Sequence, residues 1–265
     1  MNTKITSIKK LDQIKRKSLL RKSDVEYANY GINHVEGCSH GCLYPCYAMV
    51  MAKRFGSINH YSDWLKPKIV GNAMELLEKK IPKLKNKIKA VYLSFATDPF
   101  MFNQPEVIKL SLKAIERLNK DNLKSVVITK GILPEILTDT EKFGKNNEYG
   151  ITLVSLDEKF RQQYEPGASP LRERIKSLKY LHSQGLKTLV SIEPYPTPNI
   201  VKQDINEILE SVKFVNKIIF GKLNYNPVVK PYLKRDGDYY RNCAETVKQF
   251  CQKNGIECIV KKGTI

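Results

Sequence analysis

Three closely spaced cysteines are the residues of this chain best suited to chemistry. Cys38, Cys42 and Cys46 lie on a polar, glycine-bearing segment, and three such thiolates can bind three irons of a [4Fe–4S] cluster. The fourth iron would then have no protein ligand and would be open to a substrate or cofactor. Zinc prefers a closed tetrahedral site, and His40 or His34 could supply its fourth ligand, so a zinc site is the alternative.

Three further cysteines lie near the C-terminus and are too far apart for a compact cluster loop. Cys243, Cys251 and Cys258 are separated by seven and six residues. Cys258 falls in the apolar run of residues 256–260, which predicts a strand in which a buried cysteine acts as a small apolar residue. An auxiliary cluster or a radical-relay thiol is the alternative role.

The composition excludes several classes of protein. The chain has 265 residues, and 45 Lys+Arg against 27 Asp+Glu give a formal net charge of +18. A hydrophobic content of 42% excludes a disordered or collagen-like chain. No stretch resembles a signal peptide or approaches the roughly 18 apolar residues of a membrane span, so we expect a cytoplasmic protein without a membrane partner. In that compartment metal or redox chemistry is favoured over disulfides.

Positive charge is densest in residues 1–23, which we expect to form a basic N-terminal arm. The run contains Lys9, Lys10, Lys15, Arg16 and Lys17. Such a run either binds the phosphates of a nucleic acid or forms a solvated tail, and both interpretations stay open at this point.

Short apolar runs alternate with helical patterns through most of the chain. The predicted strands span residues 27–32, 90–95, 126–129, 151–155, 188–192 and 218–220. One helix is expected to open at Pro105, after Gln104. Another is expected to be capped by Ser169, with Pro170 at its first position, and to end at Gly185.

This alternation predicts six β/α units with right-handed crossovers. We expect an α/β fold with a partial (β/α)6 barrel over residues 24–225 and a C-terminal α/β extension of the same domain over residues 226–265. In such barrels the chemistry lies at the C-terminal ends of the strands, so residues after each strand are candidates for the site.

Several motifs, in order along the chain, resemble one family. They are Gly37-Cys38-Ser39-His40-Gly41-Cys42 with its continuation to Ala48, Thr97-Asp98-Pro99, Gln104-Pro105-Glu106, Thr129-Lys130, Glu165-Pro166-Gly167-Ala168 and Glu193-Pro194-Tyr195-Pro196. Together they cover about residues 18–200 and resemble the spore-photoproduct-lyase-like branch of the radical S-adenosylmethionine (SAM) superfamily. The resemblance implies a radical-SAM-type partial barrel.

The resemblance also implies cofactors and a reaction class. A [4Fe–4S] cluster would bind SAM and cleave it reductively to a 5′-deoxyadenosyl radical that abstracts hydrogen from a substrate, with a nucleic-acid base as the substrate class of this branch. It implies a reductant such as flavodoxin or ferredoxin as partner. The alternatives are a non-catalytic iron–sulfur or zinc protein that binds nucleic acid, an electron-transfer protein, or a radical SAM enzyme that acts on a peptide or small molecule.

Strand-end position and motif matching indicate the residues that contact SAM. Thr97 is expected at the methionine moiety and Lys130 at the methionine carboxylate, with a solvated lysine as the alternative. Asp98 is expected either to contact SAM or to cap the turn before Pro99. Arg172 or Arg174 is expected to bond the turn that contains Glu165, Pro166 and Gly167.

Four more contacts complete the expected SAM site. Tyr44 and Tyr47 flank the third cysteine and are expected to pack on the adenosine, with ordinary loop aromatics as the alternative. Ser155, placed at the end of the fourth strand, matches the ribose-contacting position. Glu193, placed at the end of the fifth, is expected to touch SAM or substrate.

The chain departs from the family pattern in two places. Pro45 inserts one residue between the second and third cysteines, which we expect to bulge the loop without abolishing cluster binding. Photoproduct lyases resemble this chain at Phe95-Ala96 but have a hydrogen-donating cysteine there, so photoproduct repair by that route is not expected. Cys243, Tyr239 and Tyr240 are the candidates for a replacement donor or relay.

Overall fold

The computed structural model describes residues 10–44, 46–224 and 226–265. The strands are β1 (Asp12–Ile14), β2 (Arg21–Val25), β3 (Ala28–Ile32), β4 (Val35–Glu36), β5 (Lys68–Val70), β6 (Ala90–Leu93), β7 (Lys124–Thr129), β8 (Glu148–Thr152), β9 (Lys187–Tyr195), β10 (Lys217–Lys222) and β11 (Glu257–Val260). The α-helices are α1 (Tyr47–Arg54), α2 (Tyr61–Trp64), α3 (Ala73–Leu84), α4 (Pro105–Asn119), α5 (Thr140–Phe143), α6 (Glu158–Tyr164), α7 (Leu171–Ser183), α8 (Ile205–Ser211), α9 (Val229–Arg235) and α10 (Tyr239–Asn254). No helix among these residues is long and apolar enough to cross a membrane.

Eight strands form one curled sheet in the order β11-β10-β9-β8-β7-β6-β3-β2. Every neighbouring pair from β3 to β11 is parallel, whereas β2 is antiparallel to β3. The six predicted strands correspond to β3 and β6–β10, which confirms the partial (β/α)6 barrel. The predicted strand near residue 258 is β11, which adds a seventh parallel strand.

Apolar side chains pack on both faces of this sheet, as expected for parallel strands. The larger cluster joins the strands to the helices and includes Leu77 of α3 and Leu178 of α7, both fully buried. The smaller cluster is built from strand residues on the opposite, concave face, among them Ala90, Val126 and Leu189. Each fully buried leucine contributes about 1.5–3 kcal/mol to folding, so these clusters hold the strand ends in place.

The expected basic arm is part of the fold wherever the structure describes it. Residues 12–14 form β1, which pairs in parallel with β5, and β5 also pairs with β4 in a small three-stranded sheet. Leu19 and Leu20 are buried in the main core and anchor the segment. Residues 10–23 therefore do not form a solvated tail, while residues 1–9, with Lys9, lie outside the described residues.

Two helix ends can be compared with the sequence-based expectation. Helix α4 opens at Pro105 after Gln104, as predicted. Helix α7 opens at Leu171 with Pro170 as its N-cap residue, one position later than expected. The expected cap is wrong because the Ser169 hydroxyl donates to the Lys130 carbonyl (3.0 Å) instead.

The two edges of the curled sheet approach each other at the β2–β3 turn. The Glu26 carboxylate accepts a hydrogen bond from the Lys262 amide (3.0 Å), and Lys261 Nζ lies 3.4 Å from a Glu26 oxygen. The same ammonium lies 5.6 Å from the centre of the Tyr27 ring. These contacts link the segment after the last strand to the first hairpin.

Candidate functional site

The cysteine segment begins directly after β4 and is held by backbone contacts. The Cys38 amide donates to the Trp64 carbonyl (2.8 Å), and Gly37 adopts a left-handed conformation with φ of 80°. A Cβ at Gly37 would lie 2.8 Å from the Trp64 oxygen, so only glycine fits. Cys46 is the N-cap residue of α1. The predicted bulge at Pro45 lies outside the described residues.

A second glycine, Gly167, contacts the backbone of the cysteine segment. The Gly167 amide donates to the His40 carbonyl at 2.9 Å. A Cβ at Gly167 would lie 2.1 Å from the Ser39 carbonyl oxygen, a separation that no side chain tolerates. The close approach of these two backbones explains why glycine follows proline in this turn.

The two histidines proposed as zinc ligands have protein partners. His40 Nε2 accepts a hydrogen bond from the Phe102 amide (2.8 Å), and its Nδ1 lies 3.4 Å from Asp98 Oδ2. Both ring nitrogens of the buried His34 face serine hydroxyls, the nearer at 2.6 Å. Among the described residues, no group of three or more His, Cys, Asp and Glu side chains is arranged to hold a single metal ion. Neither histidine proposed as the fourth zinc ligand therefore has a ring nitrogen without a protein partner.

Asp98 joins the ends of two neighbouring strands. Its carboxylate accepts hydrogen bonds from the Phe100 amide (2.9 Å), the Thr129 hydroxyl (2.5 Å) and the Lys130 amide (2.7 Å). Burial raises the pKa of Asp98, but the neighbouring histidine and these donors outweigh burial and leave the pKa below its usual value. The bond to Phe100 matches the predicted cap of the turn at Pro99.

A buried ion-pair network lies beside the second cysteine. Lys130 Nζ lies 2.8 Å from Glu165 Oε1, 2.5 Å from the Tyr44 hydroxyl and 3.6 Å from Cys42 Sγ. Arg174 Nη2 lies 2.8 Å from the second oxygen of Glu165, as expected for a bond to that turn. The Tyr44 hydroxyl also donates to Glu165. Lys130 is thus an ion-paired, largely buried cation and not a solvated lysine.

Glu165 is the functional residue that the sequence interpretation missed. Burial raises its pKa, but Lys130 and Arg174 outweigh burial and lower the pKa of Glu165 to about 2. One carboxylate therefore balances two buried cations. The Glu-Pro-Gly-Ala motif contains this residue, but the motif predicts only a family resemblance and a turn bonded by an arginine, and not the pairing of its glutamate with Lys130.

The two tyrosines beside the third cysteine have different environments. Tyr44 is buried, its ring stacks on Phe160 with 5.9 Å between centroids, and Lys130 Nζ lies 4.8 Å from its centre. Protein groups thus contact the ring and the hydroxyl of Tyr44, a placement that does not favour its expected packing on adenosine, and that contact stays a prediction. Tyr47 is 56% exposed and lines the cavity described next, and its adenosine contact stays a prediction.

All three cysteines line one cavity of about 200 Å³ at the C-terminal ends of the strands. The other lining residues are His40, Tyr47, Ala48, Trp64, Tyr92, Ser94, Phe95, Ala96, Thr97, Asp98, Ile128, Lys130 and Thr152. The Thr97 hydroxyl oxygen is buried and has no hydrogen-bond partner among the described residues. A buried hydroxyl without a partner is costly, so it indicates a bound group that completes the site.

The expected residues of the next two strands lie outside this lining. Strand β8 ends at Thr152, which faces the cavity, whereas Ser155 comes three residues later and accepts a hydrogen bond from the Asp157 amide (3.1 Å). Glu193 lies inside β9, and its side chain packs against Gly221 of β10. A Cβ at Gly221 would lie only 2.8 Å from Glu193 Cδ. Burial raises the pKa of Glu193. The contacts expected from Ser155 and Glu193 stay predictions.

The candidate relay residues lie on the helix side of the sheet. The Tyr240 hydroxyl donates to the Tyr195 carbonyl (2.8 Å), and the Tyr239 hydroxyl donates to the Pro196 carbonyl (3.2 Å). Both tyrosines and Cys243 belong to the cluster between sheet and helices, and none of them lines the cavity. Their role as hydrogen donors stays a prediction that this geometry does not favour.

The charges around the cavity suit bound iron. Burial, Asp98 and the neighbouring thiols raise the pKa of Cys38 well above its usual value. Burial raises the pKa of Cys42 to about 12, although Lys130 acts in the opposite direction. Without bound metal these thiols are therefore protonated, and iron binding would displace their protons. In a [4Fe–4S] cluster each cysteine binds a different iron, so the three thiols do not have to converge on one metal ion.

Comparison with known proteins supports this interpretation. The family described as the Radical SAM superfamily matches residues 32–212, more than half of the chain. An uncharacterized protein, ORF301 of Acidianus two-tailed virus, is 29% identical over 195 residues, which cover 69% of this chain and 61% of that protein. The chain thus spans less than two thirds of the length of this relative.

Solved structures give the same fold. Spore photoproduct lyase complexed with dinucleoside spore photoproduct has a TM-score of 0.69 at 14% identity, covering 94% of this chain and 81% of that chain. A mutant of spore photoproduct lyase with bound AdoMet and the dinucleoside has a TM-score of 0.68, also at 14% identity, covering 94% and 80%. The described strands and helices therefore have the architecture of that enzyme.

Proposed function

The chain belongs to the radical SAM superfamily, and on that premise we propose that it removes a hydrogen atom from a nucleic-acid base held at the C-terminal ends of its barrel strands. Its cofactors are a [4Fe–4S] cluster and SAM, and an external reductant is required. When bound, the cluster and SAM supply a 5′-deoxyadenosyl radical. The observation that carries the proposal is the single cavity that all three cysteines share with the unpartnered Thr97 hydroxyl.

Three side chains would hold the cluster and two more would hold SAM. Cys38, Cys42 and Cys46 come from one segment and line one wall, so they would bind three irons of the cluster. The Thr97 hydroxyl offers a hydrogen bond to the polar end of SAM. Lys130 would keep a positive charge beside Cys42 and the SAM carboxylate, because Glu165 holds it in place from the opposite side.

The rest of the wall suits a reactive intermediate. Trp64, Tyr92, Phe95 and Ile128 give the cavity a largely apolar side. Phe95 and Ala96 occupy the position where photoproduct lyases resemble this chain but have a thiol. Apart from the three cluster cysteines, no cysteine among the described residues lines the cavity. We therefore do not expect repair of the spore photoproduct.

Support for a nucleic-acid base comes from the lyase-like fold and from the strongly basic chain. The similar lyase was solved with a dinucleoside bound, and this chain carries a net charge of +18. A base is also a flat, largely apolar group that a cavity with an aromatic side can accept after it leaves a stack. A peptide or a small molecule is the alternative substrate class.

The test begins with anaerobic reconstitution of the full chain. We expect about four irons per chain, as for one cubane, and loss of most of that iron in Cys38→Ala, Cys42→Ala or Cys46→Ala. With dithionite, or with flavodoxin or ferredoxin as reductant, the protein should form 5′-deoxyadenosine from SAM. Stoichiometric zinc without iron uptake would contradict the proposal.

The substrate is identified by hydrogen transfer. SAM cleavage should be followed with DNA, RNA, peptide and metabolite fractions prepared from cells grown in deuterated medium. Deuterium that appears in 5′-deoxyadenosine only with nucleic acid supports the proposed base. Deuterium that comes only from peptides or metabolites would move the assignment to the alternative class.

A Thr97→Val variant tests the proposed contact in the cavity. The two side chains have similar shape, so the change removes the hydroxyl with little effect on packing. We expect weaker SAM binding at unchanged iron content, because the variant loses one hydrogen bond to SAM and leaves the cysteines intact. Unchanged SAM affinity would contradict the role given to Thr97.

A further inference from the structure

Lysines of helix α3 line a cleft on the outside of the barrel. This cleft of about 190 Å³ is formed by Lys79, Lys80 and Lys83 of α3 together with Lys17, and its remaining walls are Ser18, Leu19 and Leu76. No acidic side chain is among its lining residues. Within the described part of the chain, none of the four lysines forms an ion pair with an acidic side chain, so their charges face solvent uncompensated.

A second basic cleft connects the first to the catalytic cavity. It has a volume of about 150 Å³ and is lined by Arg21, Lys22, Asn33 and Phe95, with Arg16 ion-paired to Glu36 at its edge. Leu19 is common to both basic clefts. Phe95 is common to the second cleft and to the cavity that contains the three cysteines. The first cleft, the second cleft and the catalytic cavity are therefore consecutive neighbours along one path.

We propose that this path, the α3 track, binds the backbone of single-stranded nucleic acid that leads into the catalytic cavity. The inference rests on the proposed function, because it assigns the part of the same substrate that lies outside the cavity. Unpaired lysines and Arg21 contact phosphates of the bound strand, and no acidic residue lines either cleft.

The aromatic ring within the path favours nucleic acid over an acidic peptide. Phe95 is 36% exposed and lies in the same cleft as Arg21 and Lys22. A positively charged groove with an exposed ring on which a base can stack is the combination that single-stranded nucleic acids require. A carboxylate-rich peptide would use the charges but not the exposed part of the ring, whose edge-to-face neighbour is Tyr92 at 4.5 Å between centroids.

Two matched variants distinguish the effect of the lysines in the cleft from the effect of the net charge of the protein. The test variant replaces the three α3 lysines, as Lys79→Gln, Lys80→Gln and Lys83→Gln. The control variant removes the same charge from exposed lysines of α7 and α10, as Lys176→Gln, Lys179→Gln and Lys253→Gln. Equal iron content and equal melting temperature of the reconstituted proteins establish that each variant is folded.

Binding is measured by fluorescence anisotropy with labelled single-stranded DNA and RNA, from about 50 to about 200 mM salt, on the cluster-loaded full chain without SAM. Each lost phosphate contact lowers the log–log salt slope by about 0.7, so the test variant should lose about 2 and bind about tenfold or more weakly at low salt. The control variant should keep the slope of the unmodified protein.

A Phe95→Ala variant tests the stacking contact without changing charge. We expect about tenfold weaker binding at an unchanged salt slope. The proposal is overturned if test and control variants lose affinity equally, if the unmodified protein does not bind, or if polyglutamate competes as well as the oligonucleotide. Because the assay contains no SAM, a protein that binds nucleic acid by this path but fails to cleave SAM would contradict the proposed function and not the α3 track.

Discussion

Neutralising Glu165 is expected to be the most damaging single substitution outside the cysteines. The carboxylate lies between Lys130 and Arg174, 2.8 Å from a nitrogen of each, and is almost completely buried. Glu165→Gln keeps the shape of the side chain but leaves both cations without a counter-charge. The Arg174 side chain is fully buried and cannot turn to solvent, so the cost of its unpaired charge is not relieved by water.

The expected loss follows from the cost of breaking a buried ion pair. Removal of one partner of such a pair lowers the free energy of unfolding by about 3–5 kcal/mol. At an m-value of about 3 kcal/mol/M, urea denaturation should show a midpoint lowered by about 1–1.7 M. The control is Glu210→Gln, whose pair with Lys213 has side chains that are 60% and 62% exposed, and which should change stability by less than about 0.5 kcal/mol.

A second substitution separates charge from packing. Replacing Arg174 by methionine in the Glu165→Gln background removes one of the uncompensated cations, and we expect part of the stability to return. The network does not carry the energy assigned to it if Glu165→Gln lowers the free energy of unfolding by less than about 1 kcal/mol. The same conclusion follows if the loss in the double variant, relative to the unmodified protein, equals the sum of the losses in the two single variants.

Three further changes have specific expected outcomes. Gly167→Ala should displace the cysteine segment, because its Cβ would lie 2.1 Å from a backbone oxygen, and iron content after reconstitution should fall severalfold; Gly237→Ala, with nothing closer than 3.8 Å, is the control. Asp98→Asn should lower the free energy of unfolding by about 2–4 kcal/mol in denaturant titrations, since hydrogen bonds to a buried charged acceptor are lost at two strand ends. For Glu148, burial raises the pKa, but hydrogen bonds from two lysines, one of them Lys217 at 2.8 Å, outweigh burial and hold it below its usual value. Its contribution is therefore complete above the unfolded pKa of about 4.3 and is lost as the pH falls through the lower folded value, so Glu148→Gln should show a flatter stability profile in that acidic range.

The barrel could be predicted because its strands are continuous apolar runs bounded by turn residues. The strand around Val126 and the one around Leu189 follow this pattern, and both are buried on their two faces. The boundary of β8 was placed too late because Leu153 and Val154 continue the apolar run after the last strand residue. Apolar sequence marks burial, and burial continues past the point where strand pairing ends.

The placement of the cysteine segment, Thr97 and Lys130 around one cavity could also be predicted, because their types and spacing are local properties, although Thr97 lies four residues after the end of β6. The environment of Tyr44 could not. Its hydroxyl meets Glu165, which is 121 positions away, and no local pattern specifies that encounter. The position of Tyr239 on the helix side of the sheet could not be predicted either, because it depends on which face of α10 packs against the sheet.

The contact that joins the two edges of the barrel has a consequence for the order of folding. The Glu26 carboxylate and the Lys262 amide are 236 positions apart, nearly the whole length of the chain. The ends of so long a loop meet at a high entropic cost, which grows slowly with length but is not repaid until many other contacts exist. We therefore expect this closure to form late in folding, after most of the parallel strands have paired. Substitution of Glu26 should accordingly speed unfolding and leave the folding rate nearly unchanged.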